Sequence, residues 1–490
     1  MRLLESFANI VEQDPYRTAL LNELNVMSYR DLSSYVDSVV KYLIDSGLKP
    51  NDRIGLYFNS SPLHLVACLA SLKLGLAQVS LESGGPSQIR QASFERCRVK
   101  FILSDFQEDL GIQRLQVTKD ILDRRISANE LDSYDFFSIS GDDPAFLIIG
   151  SGTTGHAKVI PISFDNLGAL IDRDAEVRNL LPYERHYSMT PFCFYTAKRR
   201  SLACLAVGAS VVLKERAKPR LGILVDQFAL DHLSIAVVHG LELCERFKQI
   251  SGPRFSRLKS LYVGGSPVSE KLRKELRERV SENVCIAYGS NEFGEACVAT
   301  ADMQKSDEDT LGKPCKGVQL EIVDDEGNEC AVGEVGDIRL KGNGQFSAYE
   351  DDEEASHVSL RNGWHYPGDL ACISESGQVI FKGRSDDVIL FDGVKIYPKE
   401  VENILENHEA INDVACFACD LPDNQIPLVV FTATGKVETD QLAALYREKM
   451  GWRMPKFIHR LEEMPRNAAG KISKVELKEM FSKDVAKQFA

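Results

Sequence analysis

Apolar residues recur along this chain with two alternating periods. Residues 28–48 carry Leu32, Tyr35, Val36, Val39, Val40 and Leu43, the three- and four-residue spacing of a helix buried on one face. Ser28 and Asp31 open it and Gly47 closes it. A short apolar run, Arg53–Phe58, then predicts a strand. Ser61-Pro62 reads as a cap followed by proline at the first helical position, and that helix runs through Leu65, Leu69 and Leu72 to Gly75. Further strands are predicted at Ala77–Leu81, Val99–Ser104, Ala145–Ile149, Ser210–Leu213, Ile235–His239 and Ser260–Val263. Strands that alternate with helices make a mostly parallel sheet covered on both faces.

The texture changes after about residue 310. Gln319–Val323, Gly336–Lys341 and Val379–Phe381 predict short strands, with turns at Asp325-Glu326-Gly327 and Glu375-Ser376-Gly377. Beyond Gly383-Arg384-Ser385-Asp386 come a helix at Lys399–Asn407, strands at Val414–Cys419 and Leu428–Thr434, and a helix from about Thr439. The expected fold class is α/β. A large N-terminal domain, residues 1–383, holds helix-covered mostly parallel sheets and a small β-rich subdomain. A small mobile α+β domain follows at 384–490.

Composition narrows the function. Apolar residues make up 44% of the 490 and charged residues 27%, the balance of a globular protein with ample core. The net charge is −14, which disfavours nucleic acid, because binding phosphate backbones needs a basic face. The N-terminal residues lack the apolar stretch of a signal peptide, and no 18-residue apolar segment is present to span a membrane. A cytoplasmic protein is expected. The twelve cysteines are scattered; the one close pair, Cys416 and Cys419, lies in a predicted strand and reads as structural.

One stretch carries candidate chemistry. The Ala145–Ile149 strand ends in Gly150-Ser151-Gly152-Thr153-Thr154-Gly155, with Lys158 close behind. Three glycines let backbone N–H groups approach an anion. Ser151, Thr153 and Thr154 add hydroxyl donors and Lys158 a point charge. A polyphosphate is the ligand such a loop suits. It is not a Walker loop, since His156 stands where that motif needs lysine.

The loop instead resembles the Ser-Gly-Thr-Thr-Gly-x-Pro-Lys signature of the ANL superfamily of adenylate-forming enzymes: acyl- and aryl-CoA synthetases, peptide-synthetase adenylation domains and luciferases. Ala157 replaces the proline. The resemblance runs from Met27-Ser-Tyr-Arg-Asp-Leu, through Lys73-Leu-Gly-Leu-Ala, to Pro465-Arg-Asn-Ala-Ala-Gly-Lys. Tyr288-Gly289-Ser290-Asn291-Glu292 resembles Tyr-Gly-x-Thr-Glu, which implies Tyr288 on adenine, Asn291 at the α-phosphate and Glu292 on Mg²⁺, a cation that favours carboxylate with phosphate oxygens. Gly264-Gly265-Ser266-Pro267 resembles the turn along adenine and the acyl pocket. Trp364–Leu370 resembles Trp-x-x-Thr-Gly-Asp, with Pro367 in place of threonine, and implies Asp369 on the ribose hydroxyls. Gly383-Arg384-Ser385-Asp386 resembles Gly-Arg-x-Asp, placing Arg384 on ribose or phosphate and Asp386 at a hinge. Lys471 would stabilise charge in adenylation, and Gly393 would line a tunnel for a phosphopantetheine thiol.

The resemblance implies a two-step ligase using ATP, Mg²⁺ and CoA, or a carrier protein's phosphopantetheine. A small carboxylic acid attacks the α-phosphate, and a thiol then displaces AMP. Phe194, Tyr195, His239, Gly264 and Gly289 are the candidate acid pocket; His239 reads equally as a structural histidine. No acid lies in Pro191–Thr196, which disfavours an α-amino acid. Lys198-Arg199-Arg200 reads either as a solvated helix start or as a contact to a second anionic group on the acid or on the thiol donor's phosphates. The rival readings are an adenylation enzyme loading an acyl or peptidyl carrier protein or an amine, a degenerate non-catalytic member, and a luciferase-type oxygenase.

Overall fold

The computed structural model describes the chain apart from residues 1, 83–86, 124–125, 127–129, 132–138, 151–157, 215–220, 308, 392–393, 407, 409, 421–424, 436, 438, 440, 445–456, 467–471 and 490. The Gly-rich loop residues Ser151, Gly152, Thr153, Thr154 and Gly155, the tunnel glycine Gly393 and Lys471 therefore lie outside the described residues. So does much of the helix expected from Thr439.

Two sheets form the large N-terminal part. The first has six strands in the order Gln113–Gln116, Phe101–Ser104, Arg53–Tyr57, Ala77–Ser80, Pro144–Gly150, Lys158–Ser163. All are parallel but the last, which returns antiparallel as a hairpin. The second sheet is parallel through Thr18–Leu21, Ser210–Val212, Arg185–Ser188, His232–Ala236, Ser260–Gly264 and Val284–Ser290. It then turns antiparallel at Gly294–Ala299 and Thr310–Pro314. The short strands expected after 310 are present, and they continue this same sheet through Val379–Arg384 and Asp369–Ile373.

Capping explains where helices begin. The helix Tyr29–Asp45 starts at Ser28, whose hydroxyl accepts from Asp31 N while Asp31 accepts from Ser28 N. The next helix, Ser61–Lys73, is capped by Ser60 rather than Ser61, so Pro62 sits one residue further in than the sequence implies. Two boundaries move more. The strand expected at Ile235–His239 spans His232–Ala236, and Val237–Arg246 is already helix. The helix Tyr195–Ala206 begins early enough to contain Lys198, Arg199 and Arg200.

A smaller C-terminal α+β part follows. Its helix Pro398–Glu406 packs on the strand Ile411–Asp420, which pairs with Gln425–Ala433; Phe457–Arg460 adds a parallel third strand. The hydrophobic clusters divide accordingly. Two are built wholly from residues after 388, such as Val401, Phe431 and Leu477, while the large clusters draw on residues before 380. The architecture is thus bilobal, each lobe having hydrophobic clusters of its own. Cys416 and Cys419 are buried in the Ile411–Asp420 strand, as small apolar side chains are. Among the described residues, no helix is long and apolar enough to cross a membrane.

Candidate active site

Parallel strands end on one side, and ligands of open α/β sheets bind there. Ser80, Gly150, Ser188, Ala236, Gly264 and Ser290 are the last residues of such strands. Gly150, Gly264 and Ser290 bring three of the expected motifs to these ends, while Asp369 and Arg384 lie on antiparallel strands of the second sheet.

Gly264 and Gly265 leave the Ser260–Gly264 strand. Gly265 has φ +85° and open space where a side chain would sit, so the turn itself calls for glycine. At Gly264 a Cβ would stand 2.7 Å from the Ala287 carbonyl oxygen of the neighbouring strand. At Gly289 it would stand 2.0 Å from the Gly294 carbonyl oxygen across the hairpin. Both glycines are thus required by the sheet itself, independently of any ligand. Ser266 Oγ donates to the Gly265 carbonyl at 2.9 Å.

The hairpin Val284–Ser290/Gly294–Ala299 holds Asn291 and Glu292 in its turn. Tyr349 Oη donates to Glu292 Oε1 at 3.0 Å, and Phe346 N donates to the Glu292 carbonyl at 2.8 Å. Lys158 Nζ lies 4.9 Å from the centre of the Tyr349 ring. Tyr349 therefore joins Lys158 to Glu292, a link that no sequence signal marks. His365 is buried beside the Phe293 and Phe346 rings, with centroids 6.3 and 5.4 Å away. Burial lowers its pKa, against the pull of the Glu292 charge.

Three motifs far apart in sequence meet at Asp369. Tyr288 Oη donates to Asp369 Oδ2 at 2.6 Å, and Arg384 Nη1 donates to Asp369 Oδ1 at 3.1 Å. Sheet register causes this, since Asp369 pairs directly with Arg384 across their two strands. Arg384 Nη1 also donates to the Pro367 carbonyl at 2.6 Å, and Nε to Asp386 Oδ1 at 3.2 Å. Burial pushes the Asp369 carboxyl above its ordinary range while Arg384 pulls it down. Burial and the Asp369 charge together push the Tyr288 hydroxyl well up.

The acid-pocket candidates lie on or just beyond the ends of neighbouring strands, since Ala236 pairs with Gly264, Gly264 with Ala287 and Ser234 with Ser188. Phe194 caps the Tyr195–Ala206 helix and is 40% exposed. Tyr195 points into the core against Phe146, ring centroids 5.5 Å apart, and burial pushes its hydroxyl up to about 12. His239 is the third residue of its helix, and its Nδ1 accepts the Ala236 N–H at 3.2 Å. That is a capping task, and it gives the histidine a structural occupation.

Lys198, Arg199 and Arg200 are all buried, which excludes the solvated helix start. Arg199 Nε meets Asp174 Oδ2 at 2.7 Å, and its Nη2 meets Glu295. Arg200 Nη2 reaches Glu295 Oε1 at 2.9 Å. Arg178 bridges both acids, at 3.1 Å to Asp174 and 2.7 Å to Glu295. Burial alone would push the Glu295 carboxyl up, but three guanidiniums hold it well below the usual carboxylate range. Arg199 and Arg200 are therefore structural cations. Lys198 is different: its Nζ donates to Ser80 Oγ, and no described carboxylate lies within ion-pair distance. Asp174 and Glu295 carry no sequence signal, because acidic residues are usually solvated and their partners here are distant in the chain or, for Asp174, also one helical turn away.

Among the described residues no group of three or more His, Cys, Asp or Glu side chains is placed to hold a metal. A single carboxylate at Glu292 fits Mg²⁺, which shares its coordination with phosphate oxygens and water.

Comparison with known proteins places this chain in a family. A family model described as AMP-binding enzyme matches residues 7–350. The 2-succinylbenzoate–CoA ligase of Bacillus pumilus is 24% identical over 475 residues, covering 95% of each chain. The solved o-succinylbenzoate CoA synthetase of Bacillus subtilis, in complex with its acyl-adenylate intermediate, superposes with a TM-score of 0.84 at 22% identity over 96% of this chain and 97% of that one. The same enzyme with ATP and magnesium gives 0.84 at 21% identity, over 96% and 99%. The amide bond synthetase of Marinactinospora thermotolerans gives 0.84 at 20% identity, over 98% and 99%. At such identities the structural likeness shows the fold, and the family match carries the assignment. The chain belongs to the AMP-binding enzyme family, and so to the ANL superfamily of enzymes that form acyl-adenylates.

Proposed function

We propose that this protein is an ATP-dependent acid–thiol ligase that adenylates a small carboxylic acid, releases pyrophosphate and passes the acyl group to a phosphopantetheine thiol, that of CoA. The junction of Tyr288, Asp369 and Arg384 is the observation that carries this reading. A ribose presents two adjacent hydroxyls, and a carboxylate has two oxygens to accept them. Tyr288 would lie along adenine, with Gly264, Gly265 and Ser266 beside it. Asn291, Lys158 and the loop of Ser151, Gly152, Thr153, Thr154 and Gly155 would hold the phosphates. Mg²⁺ on Glu292 would offset charge on the leaving pyrophosphate. Lys471 would offset the charge that builds when the carboxylate oxygen attacks phosphorus.

In this reading residues 384–490 rotate about Asp386 after adenylation, withdraw Lys471 and bring Gly393 to the thiol path. The relative from Bacillus pumilus, named as a CoA ligase, supports the thiol as acceptor. The likeness to an amide bond synthetase supports a second reading in which an amine takes the acyl group. Acid-dependent exchange of pyrophosphate into ATP tests the first half-reaction, across aryl, short-chain, long-chain, hydroxy and amino acids. Exchange with one class, lost in Lys471→Ala, is expected. Silence across the panel with ATP still bound would favour a degenerate member. Adding CoA, carrier protein or amine to the preformed adenylate then identifies the acceptor.

A further inference from the structure

Buried charges in proteins are paired or bound to a ligand, because an isolated charge in an apolar setting costs several kcal/mol. The helix Tyr195–Ala206 obeys this rule at Arg199 and Arg200, whose charges meet Asp174 and Glu295. It breaks the rule one residue earlier. Lys198 is 1% exposed, and its ammonium faces Ser80 Oγ and the Phe146 and Phe192 rings, whose centres are 5.7 and 5.9 Å away. His64 Nε2 shares the same Ser80 hydroxyl at 3.0 Å. Burial and the Lys198 charge both keep His64 neutral, so it supplies no counter-charge.

Position links this orphan charge to the active site. Ser80 ends its parallel strand beside the strand that delivers Gly150 and the Gly-rich loop. Phe192 belongs to the loop after Ser188, the carboxyl end of a strand in the other sheet. Lys198 thus stands where the carboxyl ends of both sheets meet. It also lies one helical turn below the exposed Phe194, with Lys198 N donating to the Phe194 carbonyl at 3.1 Å.

We propose that Lys198 and Ser80 form a subsite for the second carboxylate of a dicarboxylic acid substrate, whose first carboxylate is the one adenylated. This deepens the adenylation reading and rests on it. One ammonium and one hydroxyl match a group of single negative charge. A phosphate would bring a second charge into a wall of phenylalanine rings with nothing to offset it. The neighbouring Arg200 is committed to Glu295, so Lys198 is the cation of this helix available to a ligand.

The test uses the full chain and two readouts. Malonate, succinate, glutarate, adipate and phthalate are each compared with the monocarboxylate of matching size. In pyrophosphate exchange, one dicarboxylate is expected to exceed its monocarboxylate, and Lys198→Met to cut the ratio of their kcat/KM values about 100-fold, through KM. Ser80→Ala keeps the charge and is expected to cut that ratio about 5-fold. Separately, thermal unfolding without ATP is expected to show that the preferred dicarboxylate raises Tm in the wild type and not in Lys198→Met. A wild type that favours the monocarboxylates, a dicarboxylate effect that survives Lys198→Met, or no dicarboxylate response in either assay overturns the subsite. Lys198-dependent binding without exchange upholds the subsite and overturns adenylation. Exchange restricted to monocarboxylates does the reverse.

Discussion

Replacing Glu295 with glutamine keeps the shape of the buried cluster and removes one of its two negative charges. In the wild type three guanidiniums, from Arg178, Arg199 and Arg200, face two carboxylates, from Asp174 and Glu295. Glu295 touches all three guanidiniums and its side chain is 5% exposed, so the variant strands cationic charge where water cannot reach it. Breaking a buried pair this way costs about 3–5 kcal/mol. With a urea m value of about 3 kcal/mol/M, the unfolding midpoint falls by about 1–1.7 M. The Glu295 carboxyl is held low in the folded protein, so its contribution is present above the ordinary glutamate range of about 4 and fades as pH falls below it. The deficit should therefore be constant from pH 6 to 8 and resist added salt, because buried pairs are weakly screened. Glu295→Met with Arg200→Met removes one charge of each sign and should recover most of the loss. Urea unfolding followed by circular dichroism measures each variant. A Glu295→Gln midpoint within about 0.3 M of wild type would refute the reasoning, since such a shift is under about 1 kcal/mol.

Three further outcomes follow from the same geometry. Burial lowers Lys198 from 10.5 to about 8, so the unfolded chain holds a proton that the folded one releases between those values. Stability from this group therefore rises with pH across that window, and Lys198→Met should stabilise the free protein by about 3 kcal/mol at pH 7 and progressively less toward pH 10; a gap in unfolding free energy that stays constant with pH would contradict this. Tyr349→Phe removes the hydrogen bond to Glu292 but keeps the ring beside Lys158, and should lower kcat/KM in magnesium-dependent exchange about 5- to 10-fold; an unchanged Mg²⁺ titration would count against Tyr349 as an orienting group. Asp369→Asn weakens its junction with Tyr288 and Arg384 and should raise the KM for ATP about 10- to 100-fold with little change in KM for the acid, which steady-state kinetics reports directly.

Local pattern carried much of the fold. The helix at Tyr29–Asp45 follows from a capping box and an apolar stripe, both visible in a short window. The strand at His232–Ala236 was shifted because Val237 and Val238 extend an apolar run into the first turn of a helix, where no proline or glycine marks the change. Motif order identified Tyr288, Asp369 and Arg384, but their mutual hydrogen bonds depend on register between distant strands. The buried cluster at Glu295 was hidden for the opposite reason: charges there are neutralised by partners about 100 residues away, and a sequence window sees only charge. Gly264 and Gly289 show a third limit. Their motif points to a ligand, while the structure also gives each a neighbouring strand that leaves no room for a side chain.

In the proposed reaction a carboxylate oxygen of the substrate attacks the α-phosphorus of ATP at this site. Following an acid labelled with ¹⁸O in its carboxylate through one turnover tests it most directly, with the nucleotide and phosphate products weighed by mass spectrometry. AMP carrying one ¹⁸O atom, with unlabelled pyrophosphate, is expected. Label in inorganic phosphate accompanied by ADP would place the attack on the terminal phosphate and contradict it.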